Sequence, residues 1–103
     1  KLRKESQFIL GIPAREMKAA DSNELVLIQG IIDAWFEEKD GLVIVDYKTD
    51  RVKEGEEQTL LDHYQVQLQY YARALSQITG KRVKEAVIYS LTIQKEINVP
   101  IGQ

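Results

Sequence analysis

Two apolar segments separated by a short polar turn constrain this chain more than any other feature. Residues Leu25–Phe36 read LVLIQGIIDAWF, residues 41–48 read GLVIVDYK, and the polar stretch Glu37–Gly41 joins them. Apolar runs rich in β-branched residues favour buried strands, and the Asp-Gly dipeptide that ends the polar stretch is typical of a hairpin turn. The sequence therefore predicts an antiparallel hairpin of two strands near the centre of a sheet.

The predicted hairpin carries three charges in positions where a buried strand has no inexpensive place for them. Asp46 and Lys48 are two residues apart on the second strand, so they project from the same face, and Asp33 lies on the first strand. A two-residue turn at Lys39-Asp40 sets Asp33 opposite Asp46, whereas one at Asp40-Gly41 sets it opposite Lys48. Either register gathers the three charges on one face. A three-residue loop would set Asp33 opposite the intervening tyrosine and separate them.

The chemistry of Asp33, Asp46 and Lys48 allows two interpretations. In the first, Lys48 pairs with one carboxylate as a structural ion bridge, which seldom gains stability because desolvating each ion is costly. In the second, the carboxylates bind a divalent cation, since carboxylate oxygens suit Mg²⁺ or Mn²⁺. Lys48 would then position or deprotonate a water, or balance the charge of an anionic transition state. Three charges leave one carboxylate unpaired, which favours the metal site.

The rest of the chain indicates an α/β fold. Gln7–Ile12 is a short apolar strand candidate, and Val83–Val99 has strand character. Between them, apolar residues recur at spacings of three and four, which predicts an amphipathic helix from about Leu60 that ends at Gly80. The stripe consists of Leu61, Tyr64, Leu68, Tyr71, Leu75 and Ile78. The order of three strands, a helix and a further strand predicts a mixed β-sheet flanked by helices.

Two further expectations concern packing. Gly30 inside a predicted strand suggests a bulge or a close approach of another group to the backbone, and Arg51–Glu57 reads as a solvated, mobile loop. Both faces of the central strands are apolar, so we expect helices on both faces of the sheet. The sequence supplies one clear long helix, which suggests that the second cover lies outside this segment.

Composition narrows the classes of function. The chain has 103 residues, enough for one small domain, and a net charge of −2. A free-standing nucleic-acid binder usually carries a basic excess, so a metal or another domain would have to supply much of the attraction to DNA. The absence of cysteine fits a reducing compartment. With no apolar run of about 18 residues and no signal peptide, we expect no membrane association and a cytoplasmic location.

The charged residues also carry a resemblance to a known family. Gly30–Asp33 (GIID), followed by an apolar strand that ends in Asp46–Lys48 (DYK), resembles the GxxD…(D/E)xK core of the PD-(D/E)xK nucleases. Gln67–Tyr71 (QLQYY) is similar to the Q-x-x-x-Y helix motif of the RecB-like branch. In this order the motifs are specific. The resemblance implies a restriction-endonuclease-like fold over residues 1–103, as one RecB-like nuclease domain of a much larger helicase–nuclease chain.

The resemblance assigns roles to the clustered charges. It implies that Asp33 and Asp46 hold Mg²⁺ or Mn²⁺, with the carbonyl of Tyr47 as a further ligand. It places Lys48 near the nucleophilic water. The implied reaction is metal-dependent hydrolysis of DNA by an exodeoxyribonuclease.

The same resemblance bears on residues outside the hairpin. It implies that Gln67 and Tyr71, one helical turn apart, orient the site or touch DNA. Tyr71 also lies on the apolar stripe, so core packing is an equal interpretation. Glu5 is a weak match to an upstream acidic residue of the family, and His63 is expected on a solvated helix start rather than in the site.

The implied partners are single DNA strands delivered by ATP-dependent motor domains and a second protein subunit, in the processing of double-strand break ends for recombinational repair. A different interpretation is a catalytically silent module that binds DNA or a partner protein. Inactivated relatives typically lose the carboxylates or the lysine, and this chain has all three, which favours the enzyme. The acidic net charge argues against a nuclease that acts alone.

Overall fold

A computed structural model of the chain describes residues 2–17 and 24–102. Its elements in chain order are strand β1 (Arg3–Pro13), a short 3₁₀ turn (Ala14–Met17), strands β2 (Leu25–Glu38) and β3 (Gly41–Lys48), helix α1 (Glu57–Thr79), and strands β4 (Val83–Ser90) and β5 (Lys95–Val99). The predicted α/β class is confirmed.

The five strands form one mixed sheet in the order β1-β2-β3-β4-β5. The pairs β1–β2, β2–β3 and β4–β5 are antiparallel, whereas β3 and β4 are parallel. Adjacent parallel strands need a long crossover connection, and α1 supplies it. The crossover brings α1 back across one face of the sheet, so the carboxyl end of β3 lies beneath a helix.

The hairpin between β2 and β3 adopts one of the two registers that gather the charges. Glu38 pairs with Gly41 and Ala34 with Val45, so the two-residue turn is Lys39-Asp40. The register with the turn at Asp40-Gly41 does not form. Continued by one residue, the observed pairing sets Asp33 opposite Asp46.

Helix α1 buries one face against the sheet, as its apolar spacing predicts. Its buried residues are Leu60, Leu68, Ala72, Ala74 and Leu75. They join one core with buried strand residues such as Phe8, Ile44 and Ile88. The helix starts at Glu57, within the predicted loop. It ends as predicted at Gly80, whose φ of 71° is left-handed and whose N–H donates to the Ser76 carbonyl at 2.9 Å.

Two predictions for the second half of the chain are wrong. Ile78, the last residue of the predicted apolar stripe, is 62% exposed, because α1 contributes its last buried residue at Leu75 and its final turn runs past the core. Val83–Val99 is two strands rather than one. They are separated by the turn Leu91–Gln94, in which Gln94 adopts a φ of 55°.

Helix α1 covers one face of the sheet and leaves the other open. Val43 and Val87 are buried on the open face, but Tyr47 is 49% exposed there and packs edge-on against Tyr89 at 6.2 Å. Together with Phe36 these residues line an open groove. Within residues 2–17 and 24–102, α1 is the sole α-helix. The expectation of helices on both faces is therefore met on one.

Gly30 marks a close approach between strand and helix, as predicted. A Cβ at this position would lie 2.7 Å from Cε1 of Phe8 and 3.1 Å from Cε1 of Tyr71. The two rings pack edge to face with centroids 5.3 Å apart, so neither can move without disturbing the other. Glycine is therefore required where β2 passes beneath α1.

We expect Gly30→Ala to lower the free energy of unfolding by about 1–3 kcal/mol, because the added methyl overpacks the contact between the Phe8 and Tyr71 rings. Gly11→Ala is the matched control in strand β1. There a Cβ would meet its nearest neighbour, Leu25, at an ordinary 3.5 Å. Urea denaturation of both variants measures the difference. Equal stability of the two variants would contradict the packing argument.

Candidate active site

The hairpin brings Asp33 and Asp46 together at the point where the β2–β3 ladder ends. Beyond the Ala34–Val45 pair, the backbone N–H of Tyr47 donates to Oδ2 of Asp33 at 3.0 Å. The carboxylate thus takes the place of a backbone acceptor. This contact holds Asp33 beside the strand that carries Asp46.

Asp46 is a buried carboxylate whose charge is incompletely compensated. The residue is 3% exposed. Burial is the main cause that raises its pKa from 3.8 to about 6; the Lys48 ammonium opposes the shift and the nearby Asp33 carboxyl adds to it. Among the described residues, Oδ2 of Asp46 makes no hydrogen bond, although it forms an ion pair with Lys48.

Three groups surround the Lys48 ammonium. Its Nζ lies 2.9 Å from Oδ2 of Asp46, donates to Oε1 of Gln67 at 3.1 Å, and lies 4.0 Å from the centroid of the Tyr64 ring. The side chain is 17% exposed, so most of its charge faces these groups rather than water. Lys48 is thus held beside the carboxylates at the carboxyl end of β3.

The two residues predicted on the helix occupy different surroundings. Gln67 joins the cluster directly through its contact with Lys48. Tyr71 packs its ring against Phe8 in the core. Its phenol remains close enough to the site that its pKa is raised by burial and, to a smaller extent, by the charges of Asp46 and Asp33. Packing in the core and proximity to the site therefore coexist at Tyr71.

Three other predicted residues lie at or outside the edge of the cluster. Tyr47 contributes its backbone to the site, while its ring lies on the open face of the sheet. Glu5 has a φ of 52°, interrupts the β1–β2 pairing opposite Asp33, and lines an open depression together with Asp33 and Tyr47. His63 is exposed on α1, as expected, and is not part of the cluster.

Sequence reasoning missed two residues beside the cluster. Tyr64 was predicted on the apolar stripe, but its ring also faces Lys48 and its hydroxyl donates to both carboxylate oxygens of Asp50, at 2.8 and 3.0 Å. The signal for Tyr64 is its position three residues before Gln67, on the same side of the helix. Asp50 carries no comparable signal.

The donor set fits a hard divalent cation with incomplete protein coordination. Asp33 and Asp46 offer carboxylate oxygens, and one buried oxygen of Asp46 lacks a hydrogen bond. In the part of the chain that the structure describes, no group of three or more His, Cys, Asp or Glu side chains is arranged to hold a metal. Two carboxylates with water in the remaining positions is an arrangement that Mg²⁺ commonly adopts.

The comparison with protein families matches residues 2–100 to the PD-(D/E)XK nuclease superfamily. The chain belongs to this superfamily. The family resemblance predicted from the motifs at Gly30–Asp33 and Asp46–Lys48 is confirmed.

Curated relatives of this superfamily member are named as the AddA subunit of an ATP-dependent helicase/nuclease. The chain is 39% identical over 132 residues to the AddA protein of Lachnoclostridium phytofermentans, in an alignment that covers 95% of this chain and 10% of that protein. It is 43% identical over 103 residues to the AddA protein of Clostridium novyi, with 95% of this chain and 8% of that protein covered. The chain thus spans about a tenth or less of the length of these relatives.

A solved structure shares the fold of this PD-(D/E)XK domain. The crystal structure of SSO0001 superposes with a TM-score of 0.66 at 21% sequence identity, over 98% of this chain and 44% of that one. In the described part of the chain, no helix is both long and apolar enough to cross a membrane.

We expect Asp46→Asn to raise the free energy of unfolding of the metal-free protein at pH 8 by about 1–3 kcal/mol, because one pKa unit corresponds to about 1.4 kcal/mol. The ionised carboxylate is the disfavoured form. Its penalty is absent below the ordinary pKa of 3.8 and complete above the folded pKa of about 6. The gain in stability should therefore shrink as the pH falls through this window.

Urea denaturation in chelator-containing buffer between pH 4 and pH 8 measures this effect. Asp40→Asn is the matched control, because an exposed ion pair with Lys84 lowers the pKa of Asp40 and its neutralisation should have the opposite sign. A stabilisation by Asp46→Asn that is independent of pH would contradict the electrostatic cause.

Proposed function

We propose that this chain is the nuclease domain of an AddA-type helicase–nuclease and that it hydrolyses DNA with the aid of Mg²⁺ or Mn²⁺. The observation that carries the proposal is the buried Asp46 carboxylate, flanked by Asp33 and Lys48 at one end of the sheet. The superfamily match and the name of the curated relatives support the reaction class.

In this proposal Asp33 and Asp46 hold the cation, and the Tyr47 carbonyl is a further ligand. The bound cation would supply positive charge to the phosphoryl group and acidify a water. The two carboxylates set its place, and burial of Asp46 keeps bulk water from competing for that oxygen. The incomplete hydrogen bonding of Asp46 supports this assignment because a buried, underpartnered carboxylate is otherwise costly.

Lys48 serves the reacting groups rather than the cation. Its ammonium can donate to the attacking water or to a phosphoryl oxygen as negative charge develops there. The water oxygen bonds to phosphorus while the bond from phosphorus to the leaving ester oxygen breaks. The water loses a proton and the leaving oxygen gains one, so the products are a phosphomonoester and an alcohol. Gln67 accepts from Lys48 and so helps to orient it, while Tyr71 forms the wall behind the site.

The wider role follows the relatives' name. We propose that the domain acts as an exodeoxyribonuclease on single strands delivered by ATP-dependent motor domains. It would belong to a cytoplasmic enzyme that processes double-strand break ends for recombinational repair with an AddB-type second subunit. The net charge of −2 supports such a division of labour, because DNA affinity ordinarily scales with the number of phosphates neutralised by Lys and Arg.

We expect Asp46→Ala in the intact gene product to reduce DNA cleavage by at least about 10²-fold while ATP-dependent unwinding persists, because the variant removes a proposed ligand of the cation. Asp40→Ala, at the hairpin turn, is the matched control and should cut normally. Gel assays on end-labelled DNA with Mg²⁺ measure both activities. Undiminished cleavage by Asp46→Ala would refute the metal-site assignment, and absent cleavage by the wild type would favour a silent module.

We expect Lys48→Ala to bind Mn²⁺ about as well as the wild type but to cleave about 10²–10⁴-fold more slowly, the range typical of a lost acid–base group. Calorimetric titration with Mn²⁺ and single-turnover cleavage separate the two effects. The exposed Lys84→Ala serves as the control. If Lys48→Ala loses metal binding as completely as Asp46→Ala does, Lys48 has a structural role instead.

A further inference from the structure

The face of the Tyr64 ring lies beside the Lys48 ammonium, with 4.0 Å between Nζ and the ring centroid. An ammonium ion is attracted to the negative face of an aromatic ring at such distances, and the attraction increases when water is partly excluded. Lys48 is 17% exposed in its side chain, so the contact is largely shielded. Tyr64 therefore offers Lys48 an attractive partner that carries no net charge.

Tyr64 is itself fixed by Asp50, two residues beyond Lys48. Its hydroxyl donates to both oxygens of the Asp50 carboxylate, at 2.8 and 3.0 Å, and this hydrogen bond is the main cause that raises the pKa of the phenol. The Asp50 carbonyl in turn accepts from the Thr92 hydroxyl. The loop after β3 is thus tied both to α1 and to the turn before β5.

This arrangement matters because Lys48 and a cation seek the same oxygen. Lys48 is paired with Oδ2 of Asp46, the buried oxygen that lacks a hydrogen bond. A cation held by Asp46 weakens that ion pair by occupying and neutralising the carboxylate. Gln67 and the Tyr64 ring are then the remaining described groups that hold the ammonium in place.

Packing alone does not account for these contacts. Tyr64 borders the core, as does Tyr70 six residues later on the same helix. A core role requires the ring but neither a hydroxyl aimed at a carboxylate nor a ring face turned to a lysine. Tyr70 instead lines a depression on the outer side of α1, away from Lys48.

We propose that Asp50 and Tyr64 are positioning residues that hold the Lys48 ammonium in its reactive place when a cation occupies the carboxylates. The proposal rests on the nuclease function proposed above. It assigns Tyr64 a role in turnover through Lys48 and no role in binding DNA or the cation.

The test is a mutant cycle in the intact gene product, measured as cleavage of single-stranded DNA at saturating Mg²⁺. We expect Tyr64→Leu to lower kcat by about 10-fold or more with KM changed by less than about 3-fold, because transition-state rather than ground-state contacts are lost. Tyr64→Phe, which keeps the ring, and Asp50→Asn, which keeps an acceptor for the hydroxyl, should each retain more activity than Tyr64→Leu. Tyr70→Leu is the matched control and should retain the wild-type kcat.

The decisive comparison is Tyr64→Leu in the Lys48→Ala background. If Tyr64 acts through Lys48, the second substitution adds little further loss, since residues that act as a unit are not additive. An equal fractional loss in both backgrounds, or an unchanged kcat in Tyr64→Leu, would overturn the proposal. Thermal denaturation of each variant identifies losses that come from unfolding.

A spectroscopic readout keeps the proposal separable from the nuclease assignment. In the NMR spectrum of this chain with Mg²⁺, the ε-protons of Lys48 should show an upfield ring-current shift that Tyr64→Leu removes and Tyr64→Phe largely retains. Failure of the wild type to cleave DNA would refute the proposed function. Loss of the ring-current shift on addition of Mg²⁺ would refute the positioning role by itself.

Discussion

The pairing of β2 with β3 is the constraint on which the rest of the site depends. Side chains alternate between the two faces of a strand, so a slip of one residue would turn every side chain of β3 to the opposite face. The Lys39-Asp40 turn fixes this register and sets Asp33 against Asp46. The same register directs Leu42 and Ile44 into the core beneath α1. Burial of these apolar residues therefore stabilises the arrangement that brings two carboxylates together.

That arrangement has an energetic cost in the metal-free chain. Asp46 is buried beside a second carboxyl group, and the raised pKa shows that Lys48 compensates its charge incompletely. An isolated ion bridge would be expected to favour the ionised form of the acid. The contrary shift supports the interpretation that the cluster is built for an additional positive charge. Stability is given up locally where binding supplies the compensation.

Much of the fold was predictable from local patterns, and the exceptions have physical causes. The hairpin, the helix with its end at Gly80 and the close approach at Gly30 follow from turn chemistry, periodicity and the small size of glycine. The choice between two registers did not follow, because Lys39-Asp40 and Asp40-Gly41 are both acceptable two-residue turns. The break between β4 and β5 was hidden because Leu91–Gln94 contains neither glycine nor proline and Gln94 adopts the left-handed conformation instead.

The site shows the same division between local and tertiary information. Asp33, Asp46 and Lys48 were predictable as a cluster because strand geometry relates them directly. The contact between Asp50 and Tyr64 joins a loop to a helix across 14 positions of the chain, and no pattern of spacing encodes it. Tyr64 looked like a core residue because an apolar stripe records which side of a helix is covered, but not which neighbour covers it.

The topology also divides the assembly of the site during folding into an early and a late part. Strands β1, β2 and β3 form a meander whose contacts join nearby parts of the chain, whereas β3 must pair with β4 across the crossover, as Leu42 and Val83 do about 40 residues apart. Contacts of short sequence separation cost less entropy to close and tend to form first. The meander contains Asp33 and Asp46, while Gln67 and Tyr64 arrive with the docked helix. The half that would hold a cation can therefore form before the half that fixes Lys48, and a nascent chain would acquire its affinity for metal ahead of its ability to cut DNA.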